Sequence, residues 1–246
     1  MNEIQPPNKH YSKPEAWTDE RMGAGYAAPT AAEVSVAERM GFIRKVYSLF
    51  FVATLFAIGG VFIGFSNPEL MIAAASHPWI ALLLLIGGVF VAQAVRHQKG
   101  INLVAFFGFT TLTGVIISPL LYIVNQTNFA SIVQAGVLTI GIFGGLTVYV
   151  FISDRDFSFM RGMLTVGLIV VILAGFLNVL IVGSGGLGFA VAAAALLLFS
   201  GYVLYDTSNI IRRYPTNEYI AGAMDLYLDA FNIFLALIRI LNAGRR

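Results

Sequence analysis

Long apolar runs alternate with short polar joints from Arg39 to the C-terminal end of the chain. A helix rises about 1.5 Å per residue, so about 20 apolar residues are needed to cross the hydrocarbon core of a bilayer. The pattern predicts seven membrane-spanning helices, at residues 46–65, 79–95, 101–124, 130–152, 163–182, 187–211 and 219–241.

The joints between these runs are too short to hold a second folded domain. We therefore expect an all-α fold, a polytopic membrane protein whose residues 39–246 form a seven-transmembrane-helix bundle. The last helix is the least apolar and carries four polar side chains: Asp225, Asp229, Asn232 and Arg239. Such side chains avoid lipid, so this C-terminal helix is expected at the centre of the bundle. Residues 1–38 are mostly polar and are predicted to form a disordered cytoplasmic tail.

Composition supports the membrane class. Hydrophobic residues make up 58% and charged residues 11% of the sequence, against about 45 to 50% and about 25% in soluble domains. The net charge of +2 comes from basic residues scattered over short joints, which argues against nucleic-acid binding. The absence of cysteine excludes disulfides and thiol catalysis.

Basic residues predict the orientation of the bundle, because Lys and Arg concentrate in cytoplasmic loops. In a seven-span arrangement the three joints opposite the N-terminal tail contain neither Lys nor Arg. The basic residues on the tail side are Arg39, Arg44, Lys45, Arg96, Lys99, Arg155, Arg161, Arg212 and Arg213. The N-terminus is therefore predicted to be cytoplasmic. Arg245 and Arg246 are the exception, and a six-span model with a re-entrant last segment would place them inside.

Carboxylates inside the last two apolar runs are the most informative chemistry in the chain. Asp206 lies in the sixth predicted helix, and Asp225 and Asp229 lie in the seventh. An ionised Asp at the middle of a membrane helix costs about 2.5 to 3.5 kcal/mol, so it usually marks an ion path or a proton site. Two carboxylates held close together tend to share one proton. Equal distance from the helix ends pairs Asp206 with Asp225, whereas a tilted last helix pairs it with Asp229. A purely structural polar network is the alternative.

Two C-terminal motifs resemble the closing motifs of the Bax inhibitor-1 family, the transmembrane Bax-inhibitor-motif (TMBIM) proteins. They are YDTSNII at residues 205–211 and LYLDAFNIF at residues 226–234. The charged joint DRDFSF at residues 154–159 also resembles the family. Residues 206–209, taken with residues 216–220, are most similar to the bacterial YccA-like branch, which includes modulators of a membrane-bound AAA protease.

The resemblance implies a bundle whose last helix is central and whose paired aspartates act as the pH sensor of a calcium leak. Carried over by motif, these aspartates are Asp206 and Asp229, with Asp225 as a nearby third acid in the ion path. The family's partner cation lies at the cytoplasmic end of the second helix, where this chain has Arg96. Arg96 is therefore the candidate latch or gating residue, and a role in orienting the bundle is the alternative.

Calcium makes its own physical demand, because Ca²⁺ prefers six to eight oxygen ligands. The aspartates and a few supporting polar groups would form a sparse shell, completed by water. The supporting groups are Asn209, Asn232 and Ser118. This predicts weak, transient calcium binding at Asp206 and Asp229, with calcium as a permeant ion and no tightly bound cofactor. Pro119 removes a backbone hydrogen bond and predicts a kink or local opening of the third helix.

The leading hypothesis is a pH-sensitive calcium leak channel of the bacterial inner membrane, gated by the aspartate pair, with the lipid bilayer and calcium ions as partners. The alternative is a membrane-embedded modulator or inhibitor of a membrane-bound AAA protease that acts through its N-terminal tail. Neither is an enzyme, and the sequence has no HExxH zinc motif, phosphate-binding loop or nucleophile elbow. An intramembrane aspartyl hydrolase, which also needs two apposed acids, is a minor third option.

Overall fold

The computed structural model describes residues 28–95, 98, 100–153 and 155–243. Helices account for most of these residues, which confirms the predicted all-α class. They are α1 (Val36–Ser66), α2 (Pro68–Ser76), α3 (Pro78–Ala94), α4 (Ile101–Ser153), α5 (Arg161–Leu177), α6 (Gly185–Arg212) and α7 (Tyr219–Ala243). A 3-10 turn, Ser158–Met160, precedes α5, and a π-helical turn, Asn178–Val182, extends it.

Helix boundaries depart from the predicted ones at three places. Ser35 caps α1 in a capping box with Glu38, so this helix starts ten residues earlier than the apolar run. The short helix α2 was not predicted, and it meets α3 at an angle of 94°. The third and fourth predicted helices form one 53-residue element, α4, which is interrupted only by the non-helical backbone of Asn128 (φ −160°, ψ 68°).

Four of the described segments are long and apolar enough to cross a membrane, and the bent pair α2–α3 is a fifth candidate. The four are α1, α4, residues 158–182 and α6. The predicted count of seven requires α4 to cross twice and α7 to cross as well. Each arm of α4, residues 101–127 and 129–153, is long enough to do so at about 1.5 Å per residue. Seven spans therefore remain a prediction.

The C-terminal helix α7 lies at the centre of the bundle, as predicted. It packs against α1, α4 and α6. Twelve of its 25 residues are buried, whereas only Leu164 of the 17 residues in α5 is buried. The outer helices instead expose large apolar side chains, such as Phe90 and Val166. This inside-out distribution, polar at the centre and apolar outside, is that of a membrane protein.

Pro119 does not open α4, because the helical backbone continues through it and breaks only at Asn128. A proline removes the N–H that would bond the carbonyl four residues earlier, which here is that of Val115. The hydroxyl of Ser118 donates to the Val115 carbonyl oxygen at 2.7 Å and satisfies it. Ser118 is fully buried, and it packs against Gly64 of α1. The helix is therefore not opened at Pro119, because the Ser118 hydroxyl replaces the missing backbone donor, and the predicted kink stays a prediction.

The segment before α1 is tied to the loop between α6 and α7. The Ala31 amide donates to the Tyr214 carbonyl at 2.9 Å, and the Thr216 amide donates to the Pro29 carbonyl at 3.1 Å. Thr30 and Pro215 thereby form an isolated antiparallel bridge. We call residues 29–31 the N-terminal strap. Residues 1–27 of the predicted tail lie outside the described residues. Its remaining residues, 28–38, contain the strap, a turn and the start of α1.

Candidate functional site

Helices α6 and α7 bring Asp206 and Asp229 together. The two side chains are hydrogen-bonded to each other, and their exposed fractions are only 9% and 3%. Asp206 lies six residues before the end of α6, and Asp229 lies ten residues after the start of α7. Equal distance from the helix ends is therefore not what selects the partner of Asp206.

A hydrogen bond between two carboxyl groups requires a proton on one of them, because an ionised carboxylate can only accept. A bond between Asp206 and Asp229 thus requires that one of the two carboxyl groups carries a proton. The second oxygen of Asp229, Oδ2, is buried and has no hydrogen-bond partner in the part of the chain that the structure describes. An unsatisfied buried oxygen is costly, so this atom is available to a proton, a water molecule or a cation.

Asp225 stands beside this pair and has a different partner. Its carboxylate accepts a hydrogen bond from the hydroxyl of Tyr214, in the loop between α6 and α7. It is nevertheless close enough to act electrostatically on both Asp206 and Asp229. The three acids therefore form one electrostatically linked cluster, and a change of charge on one affects the other two.

Asn209 connects the acid cluster to the surface. Its side chain is hydrogen-bonded to Asp206, and its Oδ1 accepts from Nη1 of Arg213 at 3.3 Å. Arg213 in turn binds Asp156, in the joint between α4 and α5. A continuous chain of polar contacts thus runs from Asp156 at the surface to the buried Asp206.

Tyr227 fixes α7 on its other side, two residues before Asp229. Its hydroxyl is hydrogen-bonded to that of Thr113 on α4, and both residues are buried. The Tyr227 ring also contacts Phe109 edge-on, with ring centres 6.4 Å apart. The position of Asp229 therefore depends on the packing of α7 against α4 as well as against α6.

Three predicted residues are not shown at the acid pair. Asn232 donates from Nδ2 to the Leu228 carbonyl of its own helix at 2.8 Å, and Ser118 bonds within α4. Arg96 lies outside the described residues, so its predicted role as a latch stays a prediction. Among the predicted supporting polar groups, Asn209 is the one that the structure connects to Asp206.

The described residues contain no group of three His, Cys, Asp or Glu side chains arranged to hold a metal ion. Asp206 and Asp229 offer a pair of carboxylates, with Asp225 directed to Tyr214. Two carboxylates are too few for a tight calcium site, which needs six to eight oxygens. The arrangement suits a cation that keeps most of its water.

Comparison with known proteins places the chain in a family. The model of the family described as "Inhibitor of apoptosis-promoting Bax1" matches residues 39–246, which include every helix except the first three residues of α1. The chain belongs to the Bax inhibitor family. The resemblance carried by the two C-terminal motifs is thereby confirmed, and this family is named for inhibition rather than for a catalytic activity.

Relatives of this Bax inhibitor family member occur in bacteria and in eukaryotes. An uncharacterized protein of Campylobacter jejuni is 38% identical over 82% of this chain and 88% of its own. Bax inhibitor 1 of Schizosaccharomyces pombe is 33% identical over 85% of this chain and 79% of its own. Protein lifeguard 4 of Mus musculus is 32% identical over 86% and 89%. The similarity to each of these relatives thus covers more than four fifths of this chain.

Sequence reasoning missed two parts of the site in this family member. Arg213 was interpreted as a residue that orients the bundle, yet it binds both oxygens of Asp156, at 2.9 and 2.5 Å, and the Ser158 hydroxyl at 2.9 Å. Tyr214, in the joint after the sixth predicted helix, was not predicted as a site residue. The spacing of charges in the joints offered a weak signal for the ion pair, and nothing in the sequence indicated the partner of Tyr214.

We call the contact of Arg213 with Asp156 and Ser158 the clasp. Hydrogen bonds from Arg213 and from the Ser158 amide hold the pKa of Asp156 well below its usual range. A carboxylate whose pKa is lowered by folding stabilises the protein above its unfolded pKa, and that contribution is lost only as the pH falls through the folded value. The clasp is therefore intact at every pH above the usual titration range of an aspartate side chain.

We expect Asp156→Asn to loosen the joint between α4 and α5, because asparagine cannot accept both guanidinium N–H groups as an ionised carboxylate does. Trypsin cleavage at the exposed Arg155 and Arg161 should become several-fold faster, by the same factor at about pH 6 and about pH 8. Arg213→Lys, which keeps the charge and loses the planar fork, should give an intermediate rate. Cleavage of Asp156→Asn at the wild-type rate would show that the clasp does not hold this joint.

Proposed function

We propose that this protein is a pH-sensitive calcium leak channel whose ion path is gated by the aspartate pair on α6 and α7. The observation that carries the proposal is the buried, hydrogen-bonded pair Asp206–Asp229 at the centre of the bundle. Intramembrane acids that face the interior of a helix bundle mark ion or proton pathways more often than not.

Proton binding supplies the pH sensitivity. With one shared proton the pair forms a hydrogen bond that joins α6 to α7. With no proton the hydrogen bond is lost, and two adjacent negative charges repel in a medium of low dielectric. The number of bound protons thus sets the contact between the two helices, and the neighbouring charge of Asp225 alters the pH at which it changes.

Calcium suits the same cluster as a passing ion. The carboxylates and the Asn209 side chain provide hard oxygen ligands, and the buried Oδ2 of Asp229 is available to a ligand. Two or three carboxylates bind Ca²⁺ weakly, since water must complete the shell. Weak binding favours passage over storage, so calcium is the transported ion and not a resident cofactor.

The proposed location is the bacterial inner membrane, with the N-terminus in the cytoplasm and the lipid bilayer as the surrounding solvent. The start of α1, the joint after α4 and the end of α6 carry the described basic residues that support this orientation. They are Arg39, Arg44, Lys45, Arg155, Arg161, Arg212 and Arg213. The acid cluster then lies in the cytoplasmic half of the bundle.

Calcium flux into liposomes tests the proposal. Purified protein is reconstituted around a trapped fluorescent calcium indicator, and the external pH is stepped from about 8 to about 6. We expect calcium entry that depends on the protein and changes with pH. Protein-free liposomes are the control for passive leak, and sodium and magnesium gradients report selectivity. Traces identical to those of protein-free liposomes at every pH would overturn the proposal.

The second candidate is a modulator of a membrane-bound AAA protease. The observation that favours it is the N-terminal strap, residues 29–31, which is bound to the loop between α6 and α7 beside the acid cluster. Deleting residues 1–27 should abolish association with the protease while leaving calcium flux unchanged. Association that survives this deletion would exclude the tail as the contact.

A further inference from the structure

The N-terminal strap is fixed at both of its ends. Ala31 is fully buried and belongs to the apolar core of the bundle. The Thr30 amide and hydroxyl both donate to the Glu33 carboxylate at 2.8 Å, which closes a turn between the strap and α1. The capping box of Ser35 and Glu38 follows directly. The strap thus has a defined, hydrogen-bonded structure that leads directly into α1.

The strap holds Tyr214 by its backbone, through the Ala31 amide and the Tyr214 carbonyl. The Arg213 and Tyr214 amides both donate to the Asn209 carbonyl at the end of α6. With its backbone held from two sides, Tyr214 directs its hydroxyl to Asp225. Burial and the nearby Asp225 carboxylate raise the pKa of Tyr214 well above its usual range. The hydroxyl therefore remains a proton donor at every physiological pH.

We propose that Tyr214 is a positioning residue whose hydroxyl holds the Asp225 carboxyl group in place beside the acid pair, and that the N-terminal strap holds Tyr214 in place. Displacement of the strap would release Asp225 and change the pH response of the leak. The effect on the leak rests on the proposed function. The positioning of Asp225 rests only on the contacts of Tyr214 and the strap.

Among the described residues, Tyr214 is the hydrogen-bond partner that the structure gives Asp225. The elements packed against α7 are α1, α4 and α6. From α6, Asp206 belongs to the cluster and the Tyr202 hydroxyl is close enough to interact with Asp206 and Asp229. The helix α4 contains no Asp, Glu, Lys, Arg or His in its 53 residues. On α1, Lys45 is engaged over the Tyr219 ring, 3.7 Å from its centre. The other acids near Asp225 or Tyr214 are Asp229 and Glu218.

Two variants separate the strap from the hydroxyl. Tyr214→Phe removes the hydroxyl and keeps the ring. Ala31→Asp places a charge at a fully buried position of the strap, whereas Ala32→Asp places the same charge at the exposed neighbouring position and is the matched control. Loss of a donor favours the protonated acid, so Tyr214→Phe and Ala31→Asp should move the pH midpoint of the Asp225 carboxyl infrared band upward by roughly one unit. Ala32→Asp should leave it unchanged.

A reversible crosslink provides the rescue. The chain has no cysteine, and Thr30 and Pro215 form the antiparallel bridge. Residues paired in this way have Cα atoms about 4.5 to 5.5 Å apart, within the range of a disulfide. Oxidising T30C/P215C should restore the wild-type midpoint in the Ala31→Asp protein, and reduction should abolish the rescue. The same crosslink should not rescue Tyr214→Phe.

The infrared midpoint does not depend on ion flux, so it distinguishes failure of this inference from failure of the proposed function. The band is assigned by its loss in Asp225→Asn. A shifted midpoint in protein that shows no calcium flux would support the strap and contradict the leak. A wild-type midpoint in Tyr214→Phe would overturn the inference, whatever the flux. If Ala31→Asp does not fold, Tyr214→Phe still decides the role of the hydroxyl.

Discussion

We expect Asp229→Asn to abolish the pH response of the calcium leak. Asparagine has nearly the same size as aspartate but does not titrate, so the pair with Asp206 loses its shared proton while the volume of the site is kept. Between about pH 8 and about pH 6 the variant should conduct at one constant rate. Flux through reconstituted protein at a series of pH values measures this directly.

Asp206→Asn should give the same loss, because the proton belongs to the pair and not to either residue. For the same reason the double variant D206N/D229N should be no worse than either single variant, which is a strongly non-additive result. Glu69→Gln is the matched control, since Glu69 is an exposed acid at the start of α2. A pH response that persists in D206N/D229N would exclude the pair as the sensor and leave it a structural contact.

The parts of this protein that were predictable from sequence are those encoded in long runs. An apolar stretch of about 20 residues is recognisable because the bilayer sets its length, so the main helices lie close to their predicted positions. The polar side chains of α7 indicated its central position for the same reason. The nine-residue α2 is too short and too mixed in composition to give such a signal, and it was missed.

Contacts between distant residues were the parts that sequence could not provide. Asp206 could pair with Asp225 or Asp229 on spacing alone. In the structure Asp225 instead contacts Tyr214, whose backbone is held by residues almost two hundred positions earlier. Ser118 shows that a contact within one helix can also be missed from the sequence. It looked like a ligand in an ion path, but the neighbouring Pro119 leaves a carbonyl that its hydroxyl satisfies.

Gly114 is where we expect the largest effect on stability. The backbones of α1 and α4 touch at Gly60 and Gly114. A Cβ atom at Gly114 would meet the Ala57 carbonyl oxygen and would lie 2.9 Å from both the Ala57 carbonyl carbon and the Val61 nitrogen. All three are backbone atoms, so no side chain can rotate away, and the two helices would have to separate.

Gly114→Ala should therefore destabilise the bundle by about 3 kcal/mol, the upper end of the usual cost of overpacking a core. Gly59→Ala is the control with the opposite expected sign. A Cβ there meets nothing within 4 Å, and alanine is favoured over glycine within a helix by about 1 kcal/mol. Thermal unfolding in detergent, followed by tryptophan fluorescence, should show a lower midpoint for Gly114→Ala and an unchanged or higher one for Gly59→Ala.

Separation of α1 from α4 should also reach the acid pair. Thr113, next to Gly114, is hydrogen-bonded to Tyr227, two residues before Asp229. If α4 moves, this contact lengthens and α7 loses the constraint that holds Asp229 against Asp206. Gly114→Ala protein that remains folded should thus show a weaker pH response, and Thr113→Val should reproduce that weakening with a much smaller loss of stability. Equal midpoints for Gly114→Ala and Gly59→Ala would show that the two helices do not meet at Gly60 and Gly114.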